Sequence, residues 1–295
     1  MGYLWRRIFF AAFAGVVALT FAEVVESADR IHDCTQAGFV PEPPLQVRTT
    51  SRLNQMTESR FDSILNRVES IYAPIVAQRG ATLVFQKLWS NSIVNAFAER
   101  VGSEWRVRIY GGIARHEVIT EDALALIACH EIGHHLGGAP HLRRQWASLE
   151  GQADYFSTLK CLREVFKDDD NRAIVQAMNP PLELVRSCEQ AFGDADSISI
   201  CIRSTMAGLS AAELMRVLTH ASPISLSTPD SQKVVQTLES LPVAQCRLDT
   251  FFSGSICSVG HREDVSEVDP TVGVCSSERG FQSGLRPRCW YSSEL

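Results

Sequence analysis

None of the nine cysteines forms a Cys-x-x-Cys pair, which argues against a zinc ribbon and a thioredoxin-like redox centre. Lys and Arg are nowhere clustered, so the chain lacks the electrostatic footprint of a nucleic-acid binder. Beyond residue 25 no apolar run is long enough to span a bilayer. There is no internal repeat, which excludes a solenoid, and no low-complexity block. Ile31-His32-Asp33 before Cys34 is not a lipobox, so a lipid anchor is not expected there.

The one long apolar run lies at the start. Arg6-Arg7 precede Ile8 to Ala22, a basic region followed by a hydrophobic one, which reads as a signal peptide over 1–22. Cleavage is expected after Ala22, with Ser27 as the alternative and an uncleaved anchor as the competing arrangement. Export to a periplasm or out of the cell follows, a bacterial envelope being the natural setting. Losing Arg6 and Arg7 takes the net charge from −6 to −8. That acidity gives no strong pull toward anionic membranes, though peripheral docking on a membrane or an envelope complex stays open.

All the cysteines follow the leader, as expected of a chain oxidised after export. Cys129 falls inside an apolar helix and reads as a free core thiol. The other eight are expected to form disulfides, with Cys246–Cys257 and Cys275–Cys289 as local pairs.

His130-Glu131-Ile132-Gly133-His134 carries the chemistry. Residues four apart on a helix share one face, so both imidazoles can reach one zinc ion, and Glu131 can serve as base toward a water molecule beside it. Thr120 is a fitting N-cap, Glu121 and Asp122 suit the first turn, and Gly137-Gly138 with Pro140 end the helix. Ala123 to Ala128 are apolar nearly all round, which places this helix in the middle of a domain.

A catalytic zinc takes three protein ligands and an open position. Two residues compete for the third place. Glu150 lies on a second helix around Trp146 to Phe156, with Asp154 one turn on, placed to fix the tautomer of a ligand histidine. His141 lies one residue beyond the place where a metzincin carries its third histidine. His135, beside His134, is expected to face solvent. His220, Tyr155 and Arg247 are candidates for stabilising a developing oxyanion.

His-Glu-Ile-Gly-His followed by Glu150-Gly-Gln-Ala-Asp154 resembles the gluzincin metallopeptidases of the HtpX and CAAX-prenyl-endopeptidase family. The likeness runs upstream through Asn95-Ala96-Phe97-Ala98 and Ile109 to Ile113, and covers roughly residues 57–165. It implies His130, His134 and Glu150 as ligands of one zinc per chain, Glu131 as catalytic base and Asp154 as the carboxylate behind a ligand. It also implies an edge strand at Gly111, Gly112 and Ile113 that pairs with a polypeptide substrate. Thr219-His220-Ala-Ser-Pro223 approximates the family's His-Pro pair, which makes His220 the candidate for transition-state stabilisation.

The expected fold is α+β: a mainly helical, zincin-like metallopeptidase domain over 57–220 with a small sheet. An extended lead-in occupies 23–56 and a disulfide-rich, irregular tail 221–295. Apolar residues from Phe61 to Val76 recur at three-four spacing and predict a helix closed by Gly80. Short strands are expected at 81–89, 93–98 and 105–110, with helices from 172 to 220 broken at Asn179-Pro-Pro181 and Gly193-Asp194. The function so read is an exported zinc metalloendopeptidase acting on unfolded or misfolded proteins. The alternative is a periplasmic quality-control or assembly factor that acts mainly by binding, its protease activity latent.

Overall fold

Thr57 opens the first element by accepting a hydrogen bond from the Arg60 amide, 3.2 Å away, and so caps α1 (Glu58–Gln78). Phe61, Leu65, Val68, Tyr72 and Val76 form its buried stripe, the periodicity expected of an amphipathic helix. The computed structural model describes residues 1–2, 38–42, 45–50, 53–143 and 145–293. The leader expected at 1–22 lies outside these apart from Met1 and Gly2, as does Cys34. Apart from Met1 and Gly2, the described residues fall in one compact unit, Asp33–Leu295.

Three strands follow α1: β1 (Thr82–Leu88), β2 (Ala96–Val101) and β3 (Glu104–Tyr110), in the order β1-β3-β2. β3 runs parallel to β1 and antiparallel to β2, joined to β2 by the turn at Gly102-Ser103. Trp105, Val107 and Ile109 alternate into the core, the period-two pattern of a sheet with one buried face. β2 is an outer strand and packs beside the next long helix.

The edge strand expected at Gly111, Gly112 and Ile113 is not there. These residues form one buried helical turn, α2 (Gly111–Ala114), wedged under the 89–93 loop. A Cβ on Gly111 would lie 1.9 Å from the Trp89 carbonyl oxygen, and one on Gly112 2.0 Å from that of Ser92. Arg115 holds the same loop by donating to the carbonyls of Trp89 and Asn91. The glycines serve this close approach, and no peptide can pair with them.

α3 (Glu121–Leu136) runs through the middle, capped by Thr120 as expected, with every residue from Ala123 to Leu136 buried. A second continuous helix begins at Glu150, later than expected. It consists of α4 (Glu150–Phe156), a π-helical turn (Ser157–Cys161) and α5 (Leu162–Phe166). Next come α6 (Asn171–Met178), α7 (Leu182–Ala191) and α8 (Ala195–Thr219), broken at the two predicted places. Among the described residues no helix is long and apolar enough to cross a membrane.

The region after 220 departs from expectation. It contains α9 (Ala244–Ile256), which packs on α8 and α4 and carries a fully buried arginine, Arg247. Apart from a short 3-10 turn (Ser277–Arg279) the remainder is irregular and held by side chains. Arg163 donates to the carbonyls of Gly254, Ser255, Cys257 and Val259, anchoring the C-terminal end of α9.

The disulfides also differ. Cys129 is not a free thiol: it bonds to Cys161 in the π-helical turn and staples α3 to its neighbour. The tail pairs are Cys246–Cys289 and Cys257–Cys275, crossing the expected local pairs, and Cys188–Cys201 joins α7 to α8. These four bonds account for every cysteine except Cys34. The first tail bond seats Trp290 on α4, where a Cβ on Gly151 would come within 2.2 Å of the indole. Gly151→Ala is therefore expected to lift Trp290 off the helix and cost about 1–3 kcal/mol by overpacking, read as a lower urea midpoint with an unchanged slope.

Candidate metal centre

α3 and α4 come together where Gly133 faces Ala153; a Cβ on Gly133 would sit 2.9 Å from the Ala153 Cα. That contact sets the start of α4 against the last two turns of α3. Glu150 thereby meets His130 and His134. The Nε2 atoms of the two histidines are 3.1 Å apart. The Glu150 carboxylate lies 3.3 Å from the first and 3.7 Å from the second. The ligand atoms of all three residues fall within 4.8 Å of one another, so the group can hold a metal ion.

Each histidine has its other ring nitrogen engaged. Nδ1 of His130 is 2.7 Å from Asp154 Oδ1, and Nδ1 of His134 is 2.9 Å from the Ser148 carbonyl oxygen. Both partners are acceptors, so both Nδ1 atoms carry protons and the Nε2 lone pairs point at each other. At this distance the pair suits one proton shared between them or a cation held by both. With metal–nitrogen bonds of about 2.0–2.1 Å, two imidazoles at a tetrahedral metal hold their nitrogens about 3.3 Å apart. The donor set, two imidazoles and a carboxylate, suits zinc.

Buried polar atoms lacking partners point the same way. Neither Glu131 oxygen has a hydrogen-bond partner, nor does Glu150 Oε2. None of His130, Glu131, His134, Glu150 and Asp154 is more than 5% exposed. Such groups are costly without a counter-charge. In the metal-free protein a proton meets part of the demand: burial opposes charge on His130, but Asp154, with Glu150 and Glu131, outweighs it and raises its pKa to about 9. Burial pushes Glu131 up to about 8, and pushes His134 down to about 4.

Behind this cluster stands Arg247 of α9. Its Nε and Nη2 donate to the two oxygens of Asp154, at 2.8 and 2.6 Å. Burial disfavours charge on Asp154, yet Arg247 and His130 hold its carboxyl below the usual range. Arg247 also donates to the Phe39 carbonyl oxygen, and its guanidinium lies 4.1 Å from the centre of that ring. The Phe39 ring stands edge-on to His130 at 5.0 Å.

His141 pairs with Glu267 at 3.1 Å and stays outside the cluster, leaving Glu150 as the third donor. Tyr155 turns the other way and donates to the Gly284 carbonyl. His220, expected to act in catalysis, is exposed in the left-handed C-cap of α8 and is not brought to the buried centre. Asp230 lies near Cys246 and Cys289, but those sulfurs are joined to each other and have no thiolate to offer.

His135 is not solvent-facing. It is 2% exposed and stacked between Trp105 and Trp146, with ring centres 5.3 and 4.7 Å away. Burial lowers its pKa to about 3, against 6.5 when exposed. The unfolded chain therefore binds a proton below about pH 6.5 that the folded one refuses, and stability falls as the pH drops from there toward 3. His135→Phe is expected to flatten part of that decline in urea midpoints measured from pH 7 to 4; an unchanged slope would assign the acid sensitivity elsewhere.

Compared with protein-family models, with curated proteins and with solved structures, the chain matches none.

Proposed function

We propose that the chain is an exported, zinc-dependent metalloendopeptidase of the gluzincin kind, acting on unfolded polypeptide. The observation that carries this reading is Glu131: a buried carboxylate without a hydrogen-bond partner, beside a three-residue metal site. A purely structural site has no use for such a base.

His130, His134 and Glu150 would hold the ion. Zinc, when bound, supplies a Lewis acid that acidifies a water molecule and polarises a carbonyl. The remaining work falls to the protein. Glu131, kept basic by burial, takes the proton of the attacking water and returns it to the departing amine. Asp154 holds the His130 tautomer, and Arg247 holds Asp154. The four disulfides fit an oxidising compartment, in keeping with the leader-like N-terminus.

A second reading, a binding factor with latent protease activity, draws support from the closed state of the centre, where Phe39 covers His130. One experiment separates them. The oxidised chain, loaded with one equivalent of zinc, is expected to cleave a reduced and alkylated protein, and a chelator should stop it reversibly. Glu150→Ala is expected to lose both the metal and the cleavage. Stoichiometric zinc with no cleavage by the wild type would favour the binding factor.

A further inference from the structure

The segment Gly38-Phe39-Val40 lies on the metal centre in the manner of a bound peptide. It runs antiparallel to the residues leading into β2, on the outer side of that strand. The Phe39 amide donates to the Ala96 carbonyl at 3.0 Å and the Val40 amide to Asn95 Oδ1 at 3.1 Å. Asn95 Nδ2 returns a bond to the Val40 carbonyl at 3.2 Å, and Arg247 takes the carbonyl of Phe39. Both amides and both carbonyls of two successive residues are thus read by the walls of the site. All three residues are buried.

Two features set this segment apart from an ordinary strand. One of its contacts comes from a group behind the metal site: Arg247 joins Phe39 to Asp154, and the Phe39 ring lies against His130. And Gly38, the residue before Phe39, is pressed against Asn95 and Phe97, where a Cβ would come within 2.5 Å of Asn95 Oδ1. A side chain there would have to displace Asn95 or Phe97, so Gly38 packs closely against both.

We propose that the chain is its own substrate, cut at the Gly38–Phe39 bond, and that Phe39 and Val40 mark the subsites on the leaving-amine side. This rests on the peptidase reading above. In the step, water oxygen adds to the Gly38 carbonyl carbon and the carbon–nitrogen bond breaks. Glu131 carries the water proton to the Phe39 nitrogen. Gly38 ends as a carboxylate and Phe39 as a free amine, whose segment can then leave the seat between Arg247 and His130. The same pocket gives the enzyme a preference for an aromatic residue just after the cleaved bond, since a ring there gains both the guanidinium and the imidazole edge.

The test uses the full chain, expressed with its leader and purified with zinc, beside Glu131→Gln. Intact mass and N-terminal sequencing are expected to find Phe39 first in the wild type and a start upstream of Gly38 in Glu131→Gln. In Glu131→Gln, whose peptide stays intact, amide exchange at Phe39 and Val40 should be slow with or without metal, and Asn95→Ala should release Val40. Wild type that cleaves an added unfolded protein yet begins upstream of Gly38 would overturn self-cleavage and leave the peptidase reading standing. Wild type that cleaves neither would overturn both. A Phe39 start in Glu131→Gln would assign the cut to another enzyme, and fast exchange at both amides would deny the substrate-like seat.

Discussion

Glu131→Gln is expected to lower peptide hydrolysis by about 10²–10⁴-fold, the usual range for losing a positioned proton carrier, while zinc stays bound. Glutamine keeps the shape of the side chain and its place on α3 but cannot take a proton. Glu131 has no hydrogen-bond partner, so the exchange breaks no bond in the fold. Burial of an ionisable group is relieved at the same time, so the variant should be at least as stable as the wild type at pH 7. Loss of activity together with undiminished zinc content and an unchanged or higher urea midpoint is the combined signature. Full activity in this variant would remove Glu131 from the chemistry.

Arg247→Leu is expected to have the largest effect on stability of any single change near the centre, about 3–5 kcal/mol, because it strands the Asp154 carboxylate in the interior. Arg247 and Asp154 are each no more than 1% exposed and share two hydrogen bonds. Asp154 in turn fixes His130, so zinc affinity should fall about 10–100-fold, as for other partners behind a metal ligand. Adding Asp154→Asn should recover part of the stability, since the stranded charge is gone, while zinc affinity stays low. Urea unfolding of the two single variants and the double variant measures this coupling. Independent, additive losses would mean that the two side chains do not act as a pair.

How much of this was legible in the sequence depended on how local the cause was. The spacing of His130 and His134 is a property of one helix, and Glu150 with Asp154 a property of another, so the residues that cluster there could be read directly. Arg247 could only be offered as one candidate among three. It sits in a helix rich in Ser, Thr and Gly and buried on most sides, which leaves no apolar period to detect. Its ends are held by Cys246 and Cys257 bonding to residues farther along, and connectivity of that kind is set by tertiary packing.

The same limit explains the other corrections. Cys129 looked inert because its helix is apolar all round, yet the π-helical turn brings Cys161 beside it. His135 looked exposed because its neighbours on the helix say nothing about Trp105 and Trp146 arriving from elsewhere. Gly111 and Gly112 suggested an open strand edge, but their lack of side chains serves the loop at 89–93. Asn95-Ala96, a motif singled out in the sequence, instead pairs with Phe39 and Val40 of the chain itself.

The most direct test of the metal centre is X-ray absorption at the zinc edge on the oxidised, stoichiometrically loaded chain. The account predicts one zinc per chain with two imidazole nitrogens, oxygen donors and no sulfur, and loss of that signature in Glu150→Ala. A sulfur-containing or all-oxygen shell, or an unaltered spectrum in Glu150→Ala, would contradict it.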